Sequence, residues 1–218
     1  MVDLHVHSTY SDGADTPEAL VEAAVEIGLE HICIVDHVTA CVPWVGEFTT
    51  HIRRLADKYR AAIEVLCGIE ARVIDLDGTL DALDEFYDQV DLVFGAMHDI
   101  PTDEGPASAR NDNLPKRRLL VYWYEAFSRL IENPHVHVVA HPTAILQAYG
   151  LTLSRTHKIQ IARAARRHDK AFERNARYGV PDKEFVDILT RHGVTLVRGT
   201  DSHSVEQLRR RNRGIRSG

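Results

Sequence analysis

Residues 2–37 read VDLHVHSTYSDGADTPEALVEAAVEIGLEHICIVDH, and three kinds of signal follow one another within them. Val2–His7 alternates apolar and polar residues at the two-residue period of a strand. Thr16 followed by Pro17 and Glu18 is an N-cap with proline in the first turn, and Gly28 stops the helix predicted over Pro17–Ile27. His31–Asp36 is a second β-rich run. Strand, helix and strand in this order make a crossover unit, which lays its two strands parallel.

The same alternation continues outward. Strands are expected at Val65–Glu70, Leu92–Met97, Val136–Ala140, Ala171–Arg174 and Thr195–Gly199. Helices are expected at Glu47–Ala62, Leu80–Tyr87, Pro115–Glu132, Ser154–Arg167 and Pro181–Arg191, each with apolar residues three and four apart. Repeated about seven times, strand–helix alternation implies a parallel α/β sheet, and closing it into a TIM-like barrel is the economical arrangement. With 218 residues and no linker-like stretch, one barrel domain over residues 1–208 and a basic tail over 209–218 are expected. The segment from Asp99 to Leu114, rich in Pro, Asp, Asn and Gly, reads as a long loop, either a cover for a substrate or a mobile charged segment that makes no substrate contact.

Composition excludes several classes. A 44% hydrophobic content rules out disorder over the whole length, and no run approaches the ~18–20 apolar residues of a spanning helix. Met1-Val2-Asp3 leads straight into polar sequence, so no secretory leader is expected. Cys33, Cys41 and Cys67 are odd in number and form no CxxC pair, which reads as reduced thiols in a cytoplasmic protein. A net charge of −6 disfavours a general nucleic-acid binder. Arg209, Arg210, Arg211, Arg213 and Arg216 run counter to that balance and are expected to form a solvated terminus.

Histidine is the unusual residue: there are thirteen, and position matters more than number. The seven strands end in His5-Val6-His7, Asp36-His37, Gly68-Ile69-Glu70, Met97-His98, His141-Pro142, Glu173-Arg174-Asn175 and Thr200-Asp201-Ser202-His203. In a parallel α/β barrel the C-terminal strand ends share one face, where active sites are built. Six histidines and three carboxylates, counting Asp12 from the first loop, would converge there. His5 and His7 share a strand face about 6.6 Å apart along the chain, a placement that suits one metal ion. A lone strand-end histidine is usually a packed or solvated residue. A whole ring of them is not, because burying so many imidazoles and acids without a partner is costly. His51, His157, His168 and His192 lie on or beside helices and read as surface residues, and His31 precedes its strand. His135-Val136-His137 begins its strand instead of ending it, so it belongs to the opposite face and reads as structural.

His5-Val6-His7-Ser8 with Ser11-Asp12-Gly13, then Asp36-His37, Gly68-Ile69-Glu70, His98, His141-Pro142 and Asp201-Ser202-His203 resemble, in order and spacing, the PHP (polymerase and histidinol phosphatase) family of metal-dependent phosphoesterases. The resemblance runs from about residue 1 to residue 205 and implies a distorted (β/α)7 barrel holding two or three divalent ions, with zinc, manganese and iron all compatible. Carried over by position, His5, His7, Glu70 and Asp201 would hold one ion, and Asp12, His37 and His203 a second. His98 and His141 would hold a third, with Glu70 bridging. Two departures are visible: Val35 stands where the family more often has Thr before Asp-His, and the chain ends soon after the last motif.

The activity so implied is hydrolysis of a small phosphomonoester, histidinol phosphate or a nucleotide, by a metal-bridging hydroxide, with Asp12, Glu70, Asp201 and His203 central. No GxSxG elbow or P-loop offers a competing mechanism. Arg177, Arg72 and Arg198 are candidates for phosphate contact, Arg177 because histidinol-phosphatase-like relatives place an arginine after a Glu-x-Asn strand end. Asp36 is expected to orient a ligating imidazole. The partner is then a small phosphorylated metabolite, with no membrane. Other readings are a nuclease or phosphodiesterase, a metallo-amidohydrolase, and a non-catalytic metal-binding PHP module.

Overall fold

The computed structural model describes residues 1–107 and 114–212. Strands β1 (Val2–Val6), β2 (His31–Val38), β3 (Glu64–Arg72), β4 (Leu92–Ala96), β5 (Val138–Val139), β6 (Ala171–Asn175) and β7 (Leu196–Gly199) pair in sequence order, every pair parallel. Helices α1 (Pro17–Ile27), α2 (Val45–Tyr59), α3 (Asp84–Tyr87), α4 (Lys116–Glu132), α5 (Ala144–Ala148), α6 (Arg155–Arg167), α7 (Lys183–Arg191) and α8 (Val205–Asn212) fill the connections. Past the end of β7, the Asp201 N–H donates to the His5 carbonyl at 2.8 Å and the His7 N–H to that of Ser202 at 2.9 Å. The seventh strand thereby returns to the first, and the sheet closes into the expected barrel.

Local chemistry sets these elements. The Thr16 hydroxyl accepts from the Ala19 N–H at the start of α1, and Gly28 ends it at φ 77°, where only glycine sits without penalty. Ser154 and Asp182 cap α6 and α7 in the same way as Thr16. Leu20, Val21 and Ala24 of α1 join Ile32, Ile34 and Cys67 in one apolar layer between sheet and helices, and Trp123, Phe127 and Phe172 anchor another. Inside the barrel a small plug of Cys33, Val35, Phe94, Ala96, Val138 and Ala140 fills only the lower part. Above it the strands point polar side chains inward.

Several elements differ from expectation. Only Asp84–Tyr87 of the segment 80–87 is helical, because Leu80 is drawn into the core and bridges Val73 as an antiparallel partner. The arginine run is not a free tail: Arg209, Arg210 and Arg211 belong to α8, whose Leu208 is fully buried against the α1 layer. Arg213 and Arg216 lie outside the described residues. In the 99–114 segment, Ile100 is fully buried and pairs with Ala107, so its first part is anchored, while Arg110 lies outside the described residues. No cysteine is disulfide-bonded, and burial pushes the Cys33 and Cys67 thiols up, away from thiolate chemistry. Among the described residues no helix is long and apolar enough to cross a membrane.

Candidate metal centre

The register of β1 against β2 shifts between Asp3 and Val6. The irregularity lets Asp3 bond Thr200 and Asn212 outside the barrel while His5 and His7 both face its interior. His5 rests on Phe94, ring centroids 5.0 Å apart, so the apolar plug is the floor of the site. Glu70 stands at the middle, fully buried, and is paired in register with His37 on one side and Phe94 on the other. His5 Nε2 and His7 Nε2 are 3.0 Å apart, and each is 3.6 Å from Glu70 Oε2. Asp201 Oδ1 lies 3.6 Å from His7 Nε2.

At the rim, Asp12 is 3.7 Å from His37 Nε2, 3.3 Å from His203 Nε2 and 3.9 Å from His7 Nδ1. Around the other Glu70 oxygen gather His141 Nε2 at 2.8 Å and His98 Nε2 at 3.5 Å. All nine residues expected from the strand ends are therefore brought to one mouth. Three subsets converge closely enough to share an ion: His5, His7 and Glu70; His7, Asp12, His37 and His203; and His37, Glu70 and His98.

The donor set fits divalent cations on its own chemistry. Two imidazole nitrogens 3.0 Å apart beside a carboxylate share one proton at a point where a cation could take its place and accept both lone pairs. Buried His7 Nδ1 and His141 Nδ1 have no hydrogen-bond partner among the described residues. Electrostatics agree. Burial alone would depress His5, yet Glu173 and Glu70 override it and hold its pKa well above the usual histidine value. Burial and the His5 charge hold His7 well below. Burial would raise Glu70, but the surrounding imidazoles, His5 first, keep it well below the ordinary carboxylate range. One carboxylate ringed by five imidazoles is a cation site in waiting.

Two of the candidate ligands sit in left-handed backbone, His141 at φ 26° and Asp201 at φ 52°, conformations that non-glycine residues keep only when their surroundings impose them. Glu173, which the sequence reading placed at a strand end without a role, constrains the first of these, His141. Its Oε1 meets His5 Nδ1 at 2.9 Å and accepts from Asn175 Nδ2 at 3.0 Å, while its Oε2 accepts from the His141 N–H at 2.6 Å. Gly199 makes room for this carboxylate, since a Cβ there would stand 2.0 Å from Glu173 Oε1.

Of the arginines, Arg177 reaches the cluster: its Nη1 donates to Asp201 Oδ1 at 2.9 Å and lies 3.3 Å from the His203 ring nitrogens. Arg72 stands at the edge of the groove lined by His37, Glu70 and His98, engaged with Asp81. Arg198 is a correction. It faces outward on β7 and donates to the Val2 and Arg211 carbonyls and to Asn212, so strand parity removes it from the mouth. Asp36 is a second correction. It touches no imidazole, but accepts from the Ser8 N–H, Ser8 Oγ and Ser11 Oγ at 2.9, 2.6 and 2.5 Å, pinning the loop that presents Asp12. At the opposite end of the barrel, His137 Nδ1 accepts from the Val93 N–H and His135 stacks on Tyr87, the structural roles expected of that pair.

A seven-stranded parallel barrel with histidines and carboxylates converging at the C-terminal mouth is the architecture of a metal-binding α/β barrel. More narrowly, the chain belongs to the PHP domain family, which it matches over residues 3–188. It is 29% identical to the DNA polymerase/3'-5' exonuclease PolX of Bacillus subtilis over 94% of its own length, though it spans only 35% of that longer protein. It is also 29% identical to a protein named "Probable phosphatase" in Acetivibrio thermocellus, covering 93% of this chain and 79% of that one. The fold resembles that of the histidinol phosphate phosphatase of Lactococcus lactis, solved with zinc, L-histidinol and phosphate: TM-score 0.70, 20% identity, 98% of this chain and 92% of that chain.

Proposed function

We propose that the protein is a metal-dependent hydrolase that removes phosphate from a small phosphorylated metabolite, histidinol phosphate or a nucleotide. The observation that carries this reading is the convergence of nine donor residues, buried Glu70 among them, with Arg177 at their edge. His5, His7, Glu70 and Asp201 would hold one ion, Asp12, His37 and His203 a second, and His98 and His141 a third with Glu70. Two or three ions of zinc, manganese or iron suit such donors. Bound there, the ions supply Lewis acidity and a water acidified enough to act as nucleophile at neutral pH.

The chain's own residues do the rest. Glu173 fixes the His5 ring by holding Nδ1, leaving Nε2 for the ion. Arg177, charged at all working pH, can turn from Asp201 to the non-bridging phosphate oxygens where charge accumulates. Arg72 borders the groove lined by His37, Glu70 and His98 and is a second candidate for phosphate contact. Buried, protonated thiols at Cys33 and Cys67 fit a cytoplasmic setting.

A phosphodiesterase or nuclease activity is the second reading, favoured by the likeness to the Bacillus exonuclease and by the arginines of α8. One metal-loaded sample assayed on p-nitrophenyl phosphate, histidinol phosphate, AMP and short oligonucleotides separates the two. Monoester turnover that disappears in His7→Ala and Asp201→Ala, together with reduced metal content and an intact fold, supports the proposal. Wild-type turnover in either variant overturns the site assignment.

A further inference from the structure

The turn that carries Asp201 is gripped from outside the barrel by the end of α8. Asp201 occupies left-handed backbone at φ 52°, a strained state that persists only when its neighbours over-determine it. Bonds to β1 fix one side of the turn: Asp201 N–H to the His5 carbonyl, and His7 N–H to the Ser202 carbonyl. On the other side, Arg211 Nη1 donates to the carbonyls of Thr200 at 3.0 Å and Asp201 at 2.8 Å. Both residues are buried, at 0% and 3% exposure, so water is poorly placed to substitute.

Arg211 is itself locked in place. Its carbonyl accepts from Arg198 Nη2 at 3.2 Å, and Arg198 Nη1 donates to Asn212 Oδ1 at 2.6 Å and to the Val2 carbonyl at 2.9 Å. Asn212 Nδ2 donates to Asp3 Oδ2 at 3.0 Å. Asp3 closes the circuit by accepting from the Thr200 N–H at 2.9 Å and Thr200 Oγ1 at 2.6 Å. The network joins β1, β7 and α8 around one turn and leaves the mouth to Asp201. Arg211 forms no ion pair among the described residues; two like charges, Arg177 and Arg210, stand near it as well as two acids, Asp201 and Asp3. A guanidinium placed so is poorly explained by surface charge pairing.

We propose that Arg211 is a positioning residue whose clamp on the Thr200 and Asp201 carbonyls keeps the Asp201 carboxylate aimed at the His5–His7 centre, so that docking of α8 sets the affinity of that centre for a divalent cation. The inference rests on the reading of Asp201 as a metal ligand. It is tested on the full chain, stripped with chelator and titrated with zinc against a chromophoric competitor well below the melting temperature. Wild type, Arg211→Met and Arg211→Lys are compared, with a melting curve for each. Arg211→Met should weaken the tightest zinc step about 10–100-fold, the usual cost of losing a group that orients a ligand. Arg211→Lys, which keeps one donor, should fall between, and millimolar guanidinium ion should restore part of the loss in Arg211→Met. A purely structural arginine would lower the melting temperature, leave zinc affinity unchanged and show no rescue, and that result overturns the proposal. If Arg211→Met melts below the assay temperature, wild-type affinity in Arg211→Lys overturns it instead. A wild-type chain that takes up no zinc overturns the metal-centre reading and this proposal with it, whereas normal wild-type uptake matched by the variants overturns this proposal alone.

Discussion

Replacing Gly199 with alanine should damage the metal centre without replacing a single ligand. Gly199 ends β7 opposite Asn175, and a Cβ there would lie 2.0 Å from Glu173 Oε1 and 2.7 Å from His5 Cβ. Ordinary contact begins at 3.4 Å, so the Glu173 carboxylate would have to retreat by about 1.4 Å. A retreat of that size breaks its 2.9 Å bond to His5 Nδ1 and disturbs the bonds from Asn175 and His141. Overpacking a filled interior costs about 1–3 kcal/mol. Leaving buried partners of the carboxylate unmet costs about 1–3 kcal/mol more. Folding stability should therefore fall by roughly 2–6 kcal/mol in denaturant titrations of the metal-stripped protein. Zinc affinity should fall about 10–100-fold as His5 loses its orientation. Because the clash with the Glu173 carboxylate feeds both effects while the 2.7 Å approach to His5 Cβ remains, combining Gly199→Ala with Glu173→Ala should give losses short of additive. Wild-type stability and zinc affinity in Gly199→Ala, or strict additivity in the pair, would refute the argument.

Three further outcomes follow from named contacts. Arg177→Met removes the guanidinium that donates to the Asp201 carboxylate and lies against His203, and should weaken kcat/KM for p-nitrophenyl phosphate about 10–100-fold, from the ~1.5–3 kcal/mol of a charged hydrogen bond; an unchanged steady-state value would remove it from phosphate binding. Burial and Lys170 lower the His137 pKa, so its contribution is complete above the unfolded value near ~6.5 and fades as pH falls through the folded one. Melting temperatures in chelator should drop on acidification, and less steeply in His137→Asn, whose Oδ1 can still accept from Val93; identical slopes would count against this. Leu208→Ala empties a fully buried site beneath α8 and should cost about 2–5 kcal/mol in chemical denaturation, where a solvated tail would lose almost nothing.

The strand–helix alternation was legible because each crossover unit carries local punctuation, such as Thr16-Pro17 and Gly28, and because strand ends in a parallel barrel share one face. That rule placed eight of the nine donors at the mouth, and Asp12 joined them from the loop after the first strand. What local pattern does not encode was read less well. Leu80 follows a helical period, but its burial opposite Val73 is decided by tertiary packing. The polarity of 209–211 suggested a free tail, because one buried leucine, Leu208, is too small a signal to mark a docked helix. Arg198, a candidate for its place just before the Asp201 motif, precedes the turn, and its strand parity turns it outward. Glu173 shares inward parity with Asn175, and that signal could have identified it as the group orienting His5.

Anomalous X-ray scattering from crystals of metal-loaded, catalytically active protein would test the account at its centre. The account predicts two or three peaks inside the mouth, within about 2.0–2.2 Å of imidazole nitrogens and carboxylate oxygens from His5, His7, Glu70, Asp201 and their neighbours at the rim. An active sample with no peak among those residues, or with metal bound only elsewhere, would contradict it.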